Sequence, residues 1–332
     1  MSAPISQDPY LYTARAHAKI NVHLGVGAAR VDGFHEISSV FQALSLYDTV
    51  TVMETGEYVD NAEQPLVREP IKLAGTYVPG VPLDGQNLAW QAIEAVRNEL
   101  ARLYGATTLP ALSLTIDKGI PAAGGMAGGS ADAAAALRLA DICLCPFYDM
   151  ETLGEEALYS LAADLGSDVP FTLMGGTALG TGRGEELTPM MARGTYHWAL
   201  ITSRDGLSTP TVFRKLDELR SAGKVAAPEM DTAAVSQALI SGDAEKLAAA
   251  VHNDMQAAAL SLRPELRKVL SVGQAAGALN GIVSGSGPTC AFICPDEETA
   301  HEVIAQTTAD NPGTRGVYAF GPAPGATITD VR

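Results

Sequence analysis

The run Pro121-Ala122-Ala123-Gly124-Gly125-Met126-Ala127-Gly128-Gly129-Ser130 carries the plainest chemical signal in the chain. Residues this small let backbone amides converge on one point without Cβ clashes. The alanine-rich helical pattern that follows, from about Ser130 to Ala140, would aim its positive end at the same point. Such a loop is a cradle for a phosphate. It is not a Walker A loop, because no Gly-Lys-Ser/Thr follows, and it lacks the G-x-G-x-x-G order of a dinucleotide fold. A small-residue packing surface at a strand-to-helix junction is the alternative that needs no ligand. Lys118, just upstream, would add a cation, although a lone lysine is most often a surface charge.

Three further groups could work with that loop. From Arg15 to Val26 the residues alternate: Ala16, Ala18, Ile20, Val22, Leu24 and Val26 share one face, and Arg15, His17, Lys19, Asn21 and His23 share the other. This is the period of a half-buried strand, and Lys19 and Asn21 would stand side by side on its polar face. In Leu165-Gly166-Ser167-Asp168-Val169-Pro170 a helix ends at glycine, and Asp168 is either an N-cap for the next segment or a base. Val283-Ser284-Gly285-Ser286-Gly287-Pro288-Thr289 is a second glycine loop able to turn amides toward an anion.

The elements needed to hold these groups are visible as patterns. Strands are expected over Ile37–Leu44, Thr49–Met53, Leu112–Ile116 and His197–Thr202, and a strand, loop and strand around Gly281–Ile293. Helices are expected over Asn87–Leu103, capped by Asp84 or Asn87, then Glu155–Leu165, Thr232–Ala249 and Pro264–Ala276. Glu54–Glu69 reads as an acidic surface excursion, Gly175–Gly184 as a turn and Ser221–Asp231 as an exposed linker. No repeat of solenoid or propeller period occurs.

With 332 residues, 47% hydrophobic and 18% charged, the chain has the composition of a globular protein of roughly two domains. Its net charge of -16 disfavours nucleic acid as a partner and requires local devices for any anionic ligand. The start has no signal-peptide pattern and no apolar run long enough to span a bilayer, so the expected location is cytoplasmic and no membrane partner is expected. Cys143, Cys145, Cys290 and Cys294 fit reduced, packed thiols better than a zinc site, given their spacing.

Ala18-Lys19-Ile20-Asn21-Val22, Arg30-Val31-Asp32-Gly33-Phe34-His35-Glu36, Lys118-Gly119-Ile120-Pro121 with its glycine loop, the Asp168 segment and the Ser284 loop together resemble the GHMP kinase superfamily. The resemblance runs over essentially the whole chain, and the Asp-Gly-aromatic-His-Glu run is its most specific part. It implies a two-domain α+β architecture. Residues 1–190 would form a nucleotide-binding part like the second domain of ribosomal protein S5, and residues 191–332 a ferredoxin-like αβ sandwich, with the active site in the cleft between them. It further implies ATP and magnesium as cofactors, with Asp168 accepting the proton of the substrate hydroxyl and Lys19 steadying the developing charge.

Under the same resemblance, Asn87, Lys118 and Pro121 to Ser130 would line the nucleotide site. The acceptor would be a small cytidylyl-bearing polyol. Phe34 and Phe213 would stack on its base and His35 would read the base edge, while Asn21, Gly285, Ser286 and Gly287 placed the rest. Two departures from the superfamily pattern stand out: Phe34 replaces a tyrosine that is frequent there, and Ala127 and Ala131 replace a loop glycine and a second hydroxyl. Ser130 is the remaining hydroxyl for magnesium. Competing readings are a homoserine- or mevalonate-type kinase, a diphosphomevalonate decarboxylase and a nucleotide-binding regulator without activity.

Overall fold

The alternating run becomes the long strand β1 (Leu11–Ala29) in the computed structural model, which describes residues 9–30, 33–60, 64–78, 80–121, 125–203 and 206–332. β2 (His35–Asp60) returns antiparallel along it, from Ala29↔His35 to Leu11↔Met53. The two strands expected over Ile37–Leu44 and Thr49–Met53 are thus one, because Ser45-Leu46-Tyr47-Asp48 between them holds no glycine or proline to turn the chain. The expected acidic excursion is also corrected. Its first part, Glu54–Asp60, stays in β2 and pairs with β4 (Thr108–Lys118), while Leu66 and Val67 are fully buried.

β3 (Lys72–Gly75) runs parallel to β4, and β5 (Thr177–Thr181) pairs with β2 and carries β6 (Glu186–Pro189), so the expected turn at Gly175–Gly184 contains a strand. On the edge of β1 that β2 leaves open, β12 (Thr327–Val331) pairs antiparallel with Tyr12–Arg15 and β8 (His252–Asn253) parallel with His23–Leu24. These strands make one eight-stranded sheet among the described residues. The four-stranded sheet has the order β11 (Thr314–Gly321), β7 (Tyr196–Ser203), β10 (Cys290–Cys294) and β9 (Asn280–Val283).

Against the larger sheet pack α1 (Leu88–Tyr104), α2 (Gly128–Leu144), α3 (Glu155–Leu165) and α4 (Val169–Met174). Ala131 and Ala133 to Ala136 in α2 are fully buried. A helix whose side chains stop at Cβ can be surrounded by β1, α1 and α4 at once, which fixes its N-terminus within the molecule. The later part adds α5 (Thr209–Ser221), α6 (Ala233–Ser241), α7 (Ala244–Ala250), α8 (Gln256–Leu262), α9 (Leu266–Ala275) and α10 (Glu297–Asp310). One helix was expected over Thr232–Ala249. Gly242 at φ 73° breaks it, and Asp243 caps the second half through Glu245 N and Lys246 N. Ala199, Ile201, Val269, Phe292 and Val303 form a second core here. All four cysteines are free and buried, and among the described residues no helix is long and apolar enough to cross a membrane.

One carboxylate clips the later helices to β1. Asp254 accepts hydrogen bonds from Val26 N at 2.8 Å, Arg220 Nη2 at 3.0 Å and His252 Nε2 at 2.8 Å, and Arg220 also reaches the Gly27 carbonyl at 3.1 Å. Burial alone would raise the Asp254 carboxyl, but the bonds from His252 and Val26 outweigh it and hold the group below the ordinary carboxylate range. A group depressed in the folded state contributes stability above its unfolded value and loses it as the pH falls through the folded one. Asp254→Ala is therefore expected to cost about 2–3 kcal/mol in urea unfolding at neutral pH. The gap from wild type should narrow below about pH 4, and a gap that does not change with pH would refute the assignment.

Candidate active site

β1 slips register against β2 between His17 and Lys19 and again between Asn21 and His23. Bulges re-aim the side chains next to them, and these bracket Lys19 and Asn21. Lys19 is 5% exposed. Its Nζ donates to Asn21 Oδ1 at 3.0 Å, lies 3.3 Å from Asp168 Oδ2 and stands 5.2 Å from the centre of the Phe41 ring. Asn21 Nδ2 donates to Ser39 Oγ at 2.8 Å, and Ser39 donates onward to the His23 carbonyl, so the amide oxygen is the end turned to the lysine.

Asp168 stands at the N-terminus of α4 but makes no side-chain cap bond; its carboxylate faces Lys19 and remains one-third exposed. The N-cap alternative is therefore not what this residue does. Thr172 Oγ1 on α4 donates to the Ser130 carbonyl at 3.0 Å, which ties the Asp168 segment to the start of α2.

Of the glycine loop, Pro121 and Gly125 to Gly129 line the cavity, while Ala122, Ala123 and Gly124 lie outside the described residues. Met126, 1% exposed, anchors the loop, and its carbonyl accepts the Lys19 amide at 3.2 Å. Ala127 adopts φ 58° and ψ 34°, a left-handed turn that opens α2. First-turn amides of a helix have no intrahelical acceptor, so those of Gly128, Gly129 and Ser130 suit an anion. Ser130 follows the cavity-lining Gly129 but does not itself line the cavity.

The second glycine loop meets the first. Gly125 has φ 73°, and a Cβ there would sit 2.8 Å from the Ser284 carbonyl oxygen. Asn253 holds the second loop by donating to Val283 O at 2.7 Å and Gly285 O at 2.8 Å. Gly285 and Ser286 line the cavity; Gly287 does not, and its amide turns back to the Ser284 carbonyl. Asn87 lines it too while capping α1, accepting from Ala89 N at 2.9 Å and donating to the Pro82 carbonyl.

Lys118 lines the cavity but is not the surface cation its sequence context suggests. It is 2% exposed, and its Nζ donates to Asp132 Oδ2 at 2.6 Å and to Asp48 Oδ2. Asp48 also accepts Gly119 N at 2.7 Å and Ile120 N at 2.8 Å, so one carboxylate fixes the turn out of β4. Burial would lower the Lys118 ammonium, but the charges of Asp132 and Asp48 raise it instead. Burial raises the Asp132 carboxyl well above the usual range; Lys118 opposes this, and Asp48 adds to it. Sequence reading missed both acids. The available signal was an aspartate inside the alanine run.

At the cavity's other end the ring of Phe213 is stacked on His35, with centroids 4.7 Å apart and planes at 23°. His35 Nε2 lies 3.0 Å from Asp217 Oδ1, and Phe34 is half-exposed with the Arg183 guanidinium 5.3 Å from its ring centre. Asp217, Arg183 and Arg214 line the cavity and were not anticipated. The cavity, open on one side, has a volume of about 990 Å³, at the upper end of the range for ligand pockets, about 300–1,000 Å³.

Known proteins resemble this chain over most of its length. Residues 87–176 match the family model for the GHMP kinases N terminal domain and residues 235–311 that for the GHMP kinases C terminal. The chain is 51% identical over 319 residues to 4-diphosphocytidyl-2-C-methyl-D-erythritol kinase of Corynebacterium diphtheriae, covering 96% of this chain and 98% of that one. It is 49% identical over 327 residues to the kinase of that name from Nocardia farcinica, covering 98% and 99%. A crystal structure of 4-(cytidine 5'-diphospho)-2C-methyl-D-erythritol kinase superposes with TM-score 0.68 at 25% identity, covering 94% of this chain and 100% of that one. Homoserine kinase from Cytophaga hutchinsonii gives TM-score 0.68 at 15% identity over 99% and 100%, a likeness of fold.

Two substitutions test the geometry. Asp48→Ala leaves a buried ammonium short of one partner and two amides without theirs, and should cost about 3–5 kcal/mol in chemical unfolding. Gly125→Ala adds a Cβ against the Ser284 carbonyl in a left-handed turn. It should weaken ATP binding by about tenfold in calorimetry, through strain of about 1–3 kcal/mol; unchanged affinity would show that the two loops need not touch.

Proposed function

The chain belongs to the 4-diphosphocytidyl-2-C-methyl-D-erythritol kinase family of the GHMP kinases, and on that premise we infer that Lys19 and Asp168 conduct its phosphoryl transfer. The enzyme uses ATP to phosphorylate the 2-hydroxyl of 4-diphosphocytidyl-2-C-methyl-D-erythritol, giving ADP and the 2-phosphate, a step of non-mevalonate isoprenoid precursor synthesis. The homoserine, mevalonate, decarboxylase and regulator readings are not favoured.

One observation carries the assignment of roles: an ammonium and a partly exposed carboxylate 3.3 Å apart, in the same cavity as the N-terminus of α2. Asp168 accepts the hydroxyl proton as the oxygen attacks. Lys19, held by Asn21 and Phe41, faces the charge that grows on the attacking oxygen and the departing phosphoryl group. The amides of Gly128 and Gly129 hold phosphate oxygens, and Gly285 and Ser286 close the site from the other side. Positioning and electrostatics supply most of the acceleration in such transfers.

Magnesium belongs to the proposal. Among the described residues there is no cluster of three or more His, Cys, Asp or Glu side chains able to hold a metal. Magnesium would arrive on the nucleotide phosphates and keep most of its waters, and Ser130, which follows the cavity-lining Gly129, is the hydroxyl that would hold it. The ion would neutralise charge on the β- and γ-phosphates. Phe34, Phe213 and His35 hold the cytidylyl group and Asn21 the polyol end, and the acidic net charge supports a small molecule, not a nucleic acid, as partner. A cytoplasmic location fits an enzyme of this kind.

The test is ADP release from ATP and magnesium with 4-diphosphocytidyl-2-C-methyl-D-erythritol, beside homoserine and mevalonate. Turnover should be confined to the cytidylyl substrate. Asp168→Asn should lower kcat by about 10²–10⁴-fold and Lys19→Met by about 10²–10³-fold. An Asp168→Asn enzyme within threefold of wild type would remove the carboxylate from the chemistry.

A further inference from the structure

His35 is gripped from one face of one helix. Phe213 and Asp217 stand four residues apart on α5, the spacing that brings side chains one above the other. Phe213 lies against the imidazole plane, and the Asp217 oxygens sit 3.0 and 3.2 Å from Nε2. α5 is itself pinned to β1 through Arg220, which bonds Gly27 O and Asp254. The ring of His35 therefore has a set plane and a set edge.

A carboxylate offers only lone pairs, so the hydrogen between the two residues is carried by Nε2. In the neutral ring Nδ1 is then an acceptor. Pyrimidine bases differ at C4: cytosine presents an amino donor there, and uracil a carbonyl acceptor. We propose that Asp217 is a positioning residue that fixes His35 in the Nε2–H tautomer, so that Nδ1 accepts from a 4-amino pyrimidine and repels a 4-keto one. The proposal rests on the reading above, in which the cytidylyl group meets His35. Without the carboxylate the ring is free to carry its hydrogen on Nδ1, where it would donate to a 4-keto group instead. Discrimination between the bases would shrink, because a site built to pair with one pattern loses affinity by leaving polar groups unpaired with the other.

Two readouts test it on the full-length protein. The ¹⁵N shifts of histidine-labelled enzyme at about pH 8, above the ordinary histidine range, should show His35 with its hydrogen on Nε2. Asp217→Ala should show a mixture of tautomers, with the His35 signal assigned by its loss in His35→Gln. In kinetics, Asp217→Ala should raise KM for the cytidylyl substrate about tenfold and reduce its preference over the uridylyl analogue about tenfold or more, with kcat nearly unchanged. Asp217→Asn, whose amide can equally donate to an unprotonated Nε2, should leave the tautomers mixed and the base preference reduced. A His35 hydrogen on Nδ1 in wild type, or an Asp217→Ala enzyme with unaltered KM and base preference, overturns the proposal. Wild type that fails to turn over the cytidylyl substrate overturns the acceptor reading instead, and the tautomer then stands or falls on the ¹⁵N spectrum.

Discussion

A nearly buried lysine, clasped by two acids at the wall of the cavity, sets the course of the chain into the first glycine loop. Lys118 ends β4, Asp132 sits near the start of α2 and Asp48 comes from β2, so three elements converge on one ammonium. Removing such charges from water is expensive, and replacing the cluster by apolar residues would often be neutral or stabilising. What apolar residues would not supply is direction: Asp48 also holds the amides of Gly119 and Ile120, which decides the angle at which the chain leaves the strand for the glycine loop. The cluster is a registration device, with the phosphate cradle built on it.

β1 shows how the same economy extends outward. Its apolar face lies in the main core as far as Val22; Leu24 and Val26 pack with Val212, Leu216 and Ala258 of α5 and α8, and from Ala18 to Val26 both faces are buried. Lys19 and Asn21 look into the cavity, and His23 meets the Glu229 carbonyl of the later segment. A strand with a solvent face could not hold an ammonium still. Here the bulges, the Ser39 relay and the Phe41 ring leave Lys19 few alternatives, which is what preorganised electrostatics requires.

Much of this was legible in the sequence because its causes are local. Period-two alternation announced β1, the Glu155–Leu165 helix was bounded by its own glycine, and small residues before an alanine run marked the loop and helix α2. What was not legible depends on partners far apart in the chain. Nothing near Lys118 indicates Asp48, seventy residues earlier, and nothing near His35 indicates Asp217 on a distant helix. The unbroken β2 was hidden by its acidic residues, since charge marks a face open to water and says little about whether the backbone is paired. The division of α6 from α7 could have been read from Gly242-Asp243, a stop followed by a cap.

The pairing of β12 with β1 carries a consequence for biosynthesis. β1 bears Lys19, and the edge that β2 leaves open is covered at Tyr12–Arg15 by β12 and at His23–Leu24 by β8, both much later in the chain. A ribosome makes the chain in order, so the strand that holds the ammonium stays bare at these two places until β8 and then β12 have been made. Unpaired edges are templates for association with other chains. The nascent enzyme thus carries its most important strand partly unsealed while the elements between are made, and β12 closes its stretch of edge only after every strand of the smaller sheet has been made.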